Sequence, residues 1–289
     1  MAAKIIKGTE VAKEIRQELK REVEELKSKH GVTPGLVTIL VGEDPASVSY
    51  VTAKQRTAHD LGFYSVQDNQ PADISEEALL DLIDKYNKDP KIHGILVQLP
   101  LPKHIDETRV LYAIDPKKDV DAFHPVNVGK LLIGEPDFLP CTPHGIWQLL
   151  IRSGAKIEGA EVVIVGRSNI VGKPMAAMFL NRNATVSVCH VYTKNLVDYT
   201  KKADILVVAT GVRGLIKGDM VKENSIVFDV GITWVDGKVY GDVVFDEVVE
   251  RARLVSPVPG GVGPLTIATL LTHTVKAACK QKQEEGEEE

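Results

Sequence analysis

The chain has no basic surplus, no long apolar run and very little cysteine. Among its 289 residues, 35 Lys and Arg stand against 40 Asp and Glu, a net charge of −5. The last nine residues, Gln281 to Glu289, hold five Glu and one Lys, so the body of the chain is close to neutral. A nucleic-acid binder would show a basic surplus or stripe, so that class is set aside. No apolar stretch approaches the roughly 18 residues of a membrane span, and no membrane partner is expected. The first seven residues lack the apolar core of a signal peptide. Cys141, Cys189 and Cys279 are far apart and form no CxxC pair, which argues against a zinc site or a disulfide framework. No metal is expected, and a reducing, cytoplasmic compartment fits best. Cys189 lies in an apolar strand pattern and reads as a core residue rather than a nucleophile. What is present, 44% apolar and 26% charged residues, is the balance of a globular enzyme. The length suggests two domains.

Periodicity then places the elements. Val11, Ile15, Leu19, Val23 and Leu26 are spaced three or four apart, an amphipathic helix. Leu36 to Gly42 reads as a buried strand, and Asp44-Pro45 opens a helix that ends near Leu61. A helix from about Glu76 to Tyr86 follows Ser75, and Gly94 to Pro100 is apolar except for Gln98. A short helix is expected over Asp106 to Ile114. A turn-rich stretch, Asp115 to Pro140, separates this block from a second one. There a helix over Pro143 to Arg152 precedes strands at Glu161–Val165, Thr185–Cys189, Asp204–Ala209 and Ile226–Val230. The reading is α/β: two α/β domains with a cleft between them, the second a Rossmann-like dinucleotide-binding domain. The first domain covers 1–120 and is completed by a C-terminal helix at about 265–280. The second covers 139–264, and 281–289 is a disordered acidic tail.

Several motifs carry chemistry. Gly166-Arg-Ser-Asn-Ile-Val-Gly172 follows a strand and opens a helix, where backbone N–H groups and the helix dipole hold a pyrophosphate. Ser168 stands where a GxGxxG motif has its second glycine, so a merely structural turn is the alternative. The acid that binds an NAD ribose at the end of the second strand is missing; Cys189-His-Val-Tyr192 is there instead. Arg167 is the one cation of the loop able to reach a 2′-phosphate, and His190 reads as packed or capping. Tyr50 and Lys54, at i and i+4, share a helix face. They suit a flat substrate and a proton transfer, or equally a packed Tyr beside a surface Lys. Gln98 interrupts an apolar strand near its carboxyl end, where open α/β sheets place ligands. Asp119 and Asp121 supply carboxylates in the linker. Pro257-Val-Pro-Gly-Gly-Val-Gly-Pro264 reads as a rigid turn, a close backbone approach to a ligand, or both.

Taken together, these motifs resemble the methylenetetrahydrofolate dehydrogenase/cyclohydrolase family, from about Lys7 to Lys280. The resemblance rests on Tyr50-Val-x-x-Lys54, Gly94 to Leu101, Lys118-Asp-Val-Asp121, Pro140-Cys-Thr-Pro143, Gly166 to Gly172 and Pro257 to Pro264. It implies oxidation of 5,10-methylenetetrahydrofolate with NADP, NAD being the alternative, then hydrolysis to 10-formyltetrahydrofolate. Lys54, Tyr50, Gln98 and Asp121 match catalytic positions, and Gly166, Arg167, Ser168 and Ile232 match cofactor contacts. Val97, Leu99, Pro259, Gly260 and Gly261 join Tyr50, Lys54, Gln98 and Asp121 on the substrate side. A lysine is ordinarily protonated at neutral pH, with a pKa of about 10.4, so a proton-accepting Lys54 must be desolvated or set beside other donors. The resemblance also implies a homodimer. Ala122, Val191, Thr233 and His273 depart from the residues usual in the family. The rival readings are a dehydrogenase without cyclohydrolase activity and a non-catalytic dinucleotide-binding module.

Overall fold

The computed structural model describes residues 3–288, with side chains through residue 284. The chain opens with β1 (Lys4–Ile5), α1 (Gly8–His30) and β2 (Gly35–Val41). Next come α2 (Pro45–Asp60), β3 (Tyr64–Gln70), α3 (Glu76–Lys88) and β4 (Gly94–Val97), then α4 (Glu107–Ala113) and α5 (Pro125–Leu132). After α6 (Cys141–Arg152) follow β5 (Glu161–Val165), α7 (Gly172–Leu180), β6 (Thr185–Cys189), α8 (Leu196–Thr200) and β7 (Ile205–Val208). The remainder is β8 (Ile226–Asp229), β9 (Thr233–Val235), β10 (Lys238–Tyr240), α9 (Phe245–Val249), β11 (Leu254–Val255) and α10 (Gly263–Glu288). The chain divides into two compact units. One holds Glu14–Val128 and the residues from Ile267 onward; the other holds residues 3–13 and Gly129–Thr266.

The first unit is built on a three-stranded parallel sheet in the order β3-β2-β4. Every residue of β2 is buried, as expected of a central parallel strand covered on both faces. Val37, Ile39 and Val41 pack with Ile95 and Val97 of β4 and with Leu79 and Ile83 of α3. Side chains close the helix starts: Asp44 accepts from Ser47 N at 2.8 Å and Ser75 from Ala78 N at 3.1 Å. The chain leaves β2 toward β3 on one side and returns to β4 on the other. Open α/β sheets place ligands at such a reversal, here at the carboxyl ends of β2 and β4.

The second unit is a six-stranded sheet, β1-β11-β8-β7-β5-β6, with every neighbouring pair parallel. Its order reverses between β5 and β7. Gly166, just after β5, is so close to the loop after β7 that a Cβ on it would lie 2.2 Å from Ala209 O. The fold class is therefore the α/β arrangement that the sequence implies.

Some boundaries differ from those expected. Residues 3–13 belong with the larger sheet, because β1 pairs with β11. Helix α5 occupies part of the supposed turn-rich linker. The segment from Gln281, expected to be disordered, continues α10 to Glu288. Gln281 Nε2 donates to His93 O at 3.1 Å, and Glu284 pairs with Lys117 at 2.7 Å. Glu289 lies outside the described residues. Among the described residues no helix is long and apolar enough to cross a membrane.

Candidate active site

In the first unit the chemistry gathers around Lys54. The buried stripe of α2 runs Ser47, Val51, Lys54, Ala58, so the lysine occupies a position where an aliphatic side chain would be expected. It is only 4% exposed. Its Nζ sits 4.4 Å from the centre of the Tyr50 ring, one turn back on the same helix. It also donates to Gln98 Oε1 at 2.9 Å. Gln98 in turn donates through Nε2 to Leu99 O at 2.8 Å, and its backbone N–H to Ile39 O at 2.9 Å. The amide is thus held with its oxygen toward the amine. Val97 and Leu99 flank Gln98, Val97 buried as the last residue of β4 and Leu99 half-buried. An amine between an aromatic face and a fixed carbonyl, beside the carboxyl end of a parallel sheet, is equipped to hand a proton to or from a bound molecule.

The two linker carboxylates separate. Asp119 is 2% exposed, continues the sheet by a bridge to Ile95, and accepts from His124 N and Asn127 Nδ2, each at 2.8 Å. Burial pushes its carboxyl above the usual range, and the nearby charge of Asp121 adds to this. Asp119 is thus a structural anchor, which corrects its reading as a site carboxylate. Asp121 remains half-exposed on the loop that Asp119 fixes. Ala122, next along, is buried at φ +59°, a left-handed conformation that glycine, the residue usual in the family, adopts without strain.

In the second unit the loop after β5 has the geometry of a phosphate cradle. Gly166 has φ +127°, and a Cβ on Gly172 would lie 2.1 Å from Gly166 O. No side chain fits at either place. Ser168 Oγ accepts from Val171 N at 3.1 Å and Gly172 N at 3.4 Å, so it caps the start of α7. The Arg167 guanidinium stacks over the exposed Tyr192 ring at 5.6 Å, placing a cation and an aromatic face at the carboxyl ends of β5 and β6. His190 accepts from Tyr192 N at 3.3 Å through Nδ1, the capping role expected of it. Cys189 is buried, and burial pushes its thiol up, as befits a core residue. Ile232 is exposed on the turn after β8. The tight glycine turn, the helix start and the pairing of Arg167 with Tyr192 fit a dinucleotide. Elsewhere in this unit, the Pro259-Gly260-Gly261 turn packs against the start of α1. Thr9 N donates to Gly260 O at 3.2 Å, and a Cβ on Gly8 would lie 1.7 Å from Gly261 O.

Two buried acids escaped the sequence reading. Asp229 ends the apolar strand β8 and Asp242 follows β10, and both are fully enclosed. The signal that singled out Gln98, a polar residue closing an apolar strand, was present at Asp229 as well.

Comparison with known proteins gives these features a family. Residues 140–282 match the model described as tetrahydrofolate dehydrogenase/cyclohydrolase, NAD(P)-binding domain, and residues 6–121 match the catalytic domain of the same description. A bifunctional protein FolD of Syntrophobacter fumaroxidans is 67% identical, over 97% of this chain and 98% of that relative. Among solved structures, the FolD methylenetetrahydrofolate dehydrogenase/cyclohydrolase of Campylobacter jejuni is 48% identical with a TM-score of 0.95, covering 97% of this chain and all of that one. The Trypanosoma brucei FolD, complexed with NADP cofactor and inhibitor, is 40% identical with a TM-score of 0.94, over 97% and 99%. The chain belongs to the tetrahydrofolate dehydrogenase/cyclohydrolase family.

Proposed function

We propose that this protein oxidises 5,10-methylenetetrahydrofolate to the 5,10-methenyl form and then hydrolyses that product to 10-formyltetrahydrofolate. The observation that carries this is the buried Lys54 amine, held between the Tyr50 ring and the Gln98 carbonyl. When bound at the Gly166–Gly172 turn, NADP supplies the hydride acceptor. The residues of the chain do the rest. The Tyr50 ring stacks on the aminobenzoate, Asp121 accepts hydrogen bonds from the pterin, and Val97 and Leu99 line the folate. Lys54 Nζ takes a proton from the water that adds to the methenyl carbon and returns one to the folate nitrogen as the ring opens. Gln98 keeps the amine aimed. Hydride transfer asks chiefly for alignment, so it leans on stacking and loop geometry more than on Lys54.

NADP is favoured over NAD because Arg167 is exposed beside Tyr192, where the ribose 2′-position falls in doubly wound folds, and no acid stands there to take a 2′-hydroxyl. The absence of disulfides among the three cysteines fits a cytoplasmic setting. The resemblance to the family favours a homodimer. It should elute and scatter light as twice the 31.6 kDa chain.

The test is a pair of assays on the purified protein. Methenyl formation is followed by absorbance with NADP and with NAD, and hydrolysis of supplied methenyltetrahydrofolate is followed without cofactor. Both reactions should proceed, the first faster with NADP. Hydride transfer without hydrolysis would leave a dehydrogenase only, and neither reaction would leave a binding module.

A further inference from the structure

The buried acids Asp229 and Asp242 lie at the carboxyl ends of β8 and β7, next to the strand-order reversal between β5 and β7. Asp242 Oδ2 accepts from Thr210 N at 2.6 Å, Thr210 Oγ1 at 2.8 Å and Gly211 N at 3.0 Å, and so holds the loop after β7. Asp229 Oδ1 accepts from Gly231 N at 3.0 Å and Asp242 N at 2.9 Å, and its Oδ2 from Val243 N at 3.1 Å. It therefore ties the turn after β8 to the segment after β10. Close packing completes the join. A Cβ on Gly231 would lie 2.0 Å from Asp242 Oδ1, and one on Gly241 would lie 1.8 Å from Asp229 Oδ2.

Each loop held in this way is at the place where a dinucleotide lies. The β7 loop touches Gly166 through Ala209 O, and the β8 turn carries Ile232. Neither acid is exposed to a ligand. Asp242 Oδ1 is buried with no hydrogen-bond partner, pressed against Gly231 instead. A buried carboxylate oxygen left without a partner costs free energy, and an apolar side chain would fill the space without that cost. The arrangement makes sense if six donors on three loops need acceptors held at fixed points.

We infer that Asp242, together with Asp229, is a positioning residue for the cofactor: the pair sets the β7 loop and the Gly231–Ile232 turn in the register that receives the dinucleotide. This rests on the proposed function, in that the larger-sheet unit must bind NADP at all.

The experiment measures NADP affinity by titration calorimetry on the full-length protein, alongside cofactor-free hydrolysis of methenyltetrahydrofolate and the thermal midpoint. Asp242→Ala removes the acceptor of three donors. It should weaken NADP binding tenfold or more while hydrolysis stays within twofold of wild type. Asp242→Asn keeps an oxygen toward Thr210 and Gly211 and places an amide where the unpartnered oxygen was. It should restore affinity to within threefold of wild type. If Asp242→Ala does not fold, Thr210→Val removes one donor and no charge, and threefold weaker NADP binding is expected. Wild-type protein that binds neither NADP nor NAD would sink the proposed function itself. With binding in the wild type, unchanged affinity in Asp242→Ala would overturn this inference alone. So would a parallel fall in affinity and hydrolysis, or failure of Asp242→Asn to rescue.

Discussion

At the scale of single residues, Lys54 and Asp229 are both buried, and their roles differ. In the proposed reaction Lys54 exchanges a proton with bound substrate. General acid–base groups contribute about 10² to 10⁴ in rate, roughly 3 to 5 kcal/mol of barrier. Lys54→Met keeps much of the stem's packing and removes the amine. Hydrolysis of methenyltetrahydrofolate should fall at least a hundredfold, the dehydrogenase step should fall less, and folate binding should remain measurable. Near wild-type hydrolysis would leave Lys54 as a residue that only positions substrate. Asp229 meets no substrate. Burial raises its carboxyl to about 6, against three backbone N–H groups that favour the charge and a push from Asp242 that opposes it. The folded chain therefore holds this proton more tightly than the unfolded one, whose carboxyl titrates near 3.8. The Asp229 contribution to stability is smallest above pH 6, and it grows as the pH falls from there toward 3.8. Between pH 7.5 and 5 it should gain about 1 to 2 kcal/mol. Urea unfolding of wild type and Asp229→Asn at the two pH values reads this as a difference that moves in favour of wild type at pH 5. A difference that moves the other way would refute a raised carboxyl at this position.

At the scale of elements, the glycine turn after β5 makes the sharpest demand. Gly166→Ala puts a methyl 2.2 Å from Ala209 O at a φ of +127°, which ordinary side chains rarely adopt. Either the β5 loop or the β7 loop must move. NADP affinity should drop at least tenfold with a loss of stability of about 1 to 3 kcal/mol. Retained affinity, measured by titration, would mean the cradle does not depend on this contact. Such local demands decide which elements the sequence discloses. Helix α2 was legible because Asp44 and Pro45 mark its start, and β2 and β4 because central parallel strands are apolar throughout. Strand β3 was not, since Tyr64-Ser-Val-Gln-Asp-Asn-Gln70 is polar and only half-buried. It exists through seven-residue pairing with β2 along the sheet edge, which no local pattern records. The two-residue strands β1 and β11 likewise exist only as partners of each other and of β8. At the site, Tyr50, Lys54 and Gln98 were readable from spacing and from the polar interruption of β4. That Lys54 lies on the buried stripe of α2 was equally readable from Val51 and Ala58. The Asp229–Asp242 pair joins residues brought together by the β9–β10 excursion, so only the fold brings it to light.

At the scale of the whole molecule, the acidic end of the chain does two separable things. Its composition, five Glu and one Lys in nine residues, contributes nearly all the net charge, so truncation after Lys280 takes the chain from −5 to −1. Its first turn also docks on the smaller-sheet unit. Gln281 reaches His93 O, and Glu284 pairs with Lys117 where both side chains are largely in solvent. An exposed pair of this kind is worth about 0 to 1 kcal/mol, and a peripheral hydrogen bond about 1. Those sums are small beside the buried part of α10, where Leu265, Ala268, Leu270 and Leu271 are fully enclosed. Glu, Gln and Lys are good helix formers, which favours continuation of that anchored helix. Truncation after Lys280 should therefore lower the thermal midpoint by only about 1 to 3 °C, the shift that 1 kcal/mol produces in a chain of this size. Both activities should stay within twofold of the full-length protein, because the contacts of Gln281 and Glu284 are with His93 and Lys117, which take no part in the proposed chemistry. The lost charge should act elsewhere. A protein near neutrality associates more readily, so light scattering at neutral pH and low salt should rise in the truncated form and subside as the pH is raised. A fall of more than about 8 °C, or loss of either activity, would show that the end of the chain supports the fold well beyond its contacts with His93 and Lys117.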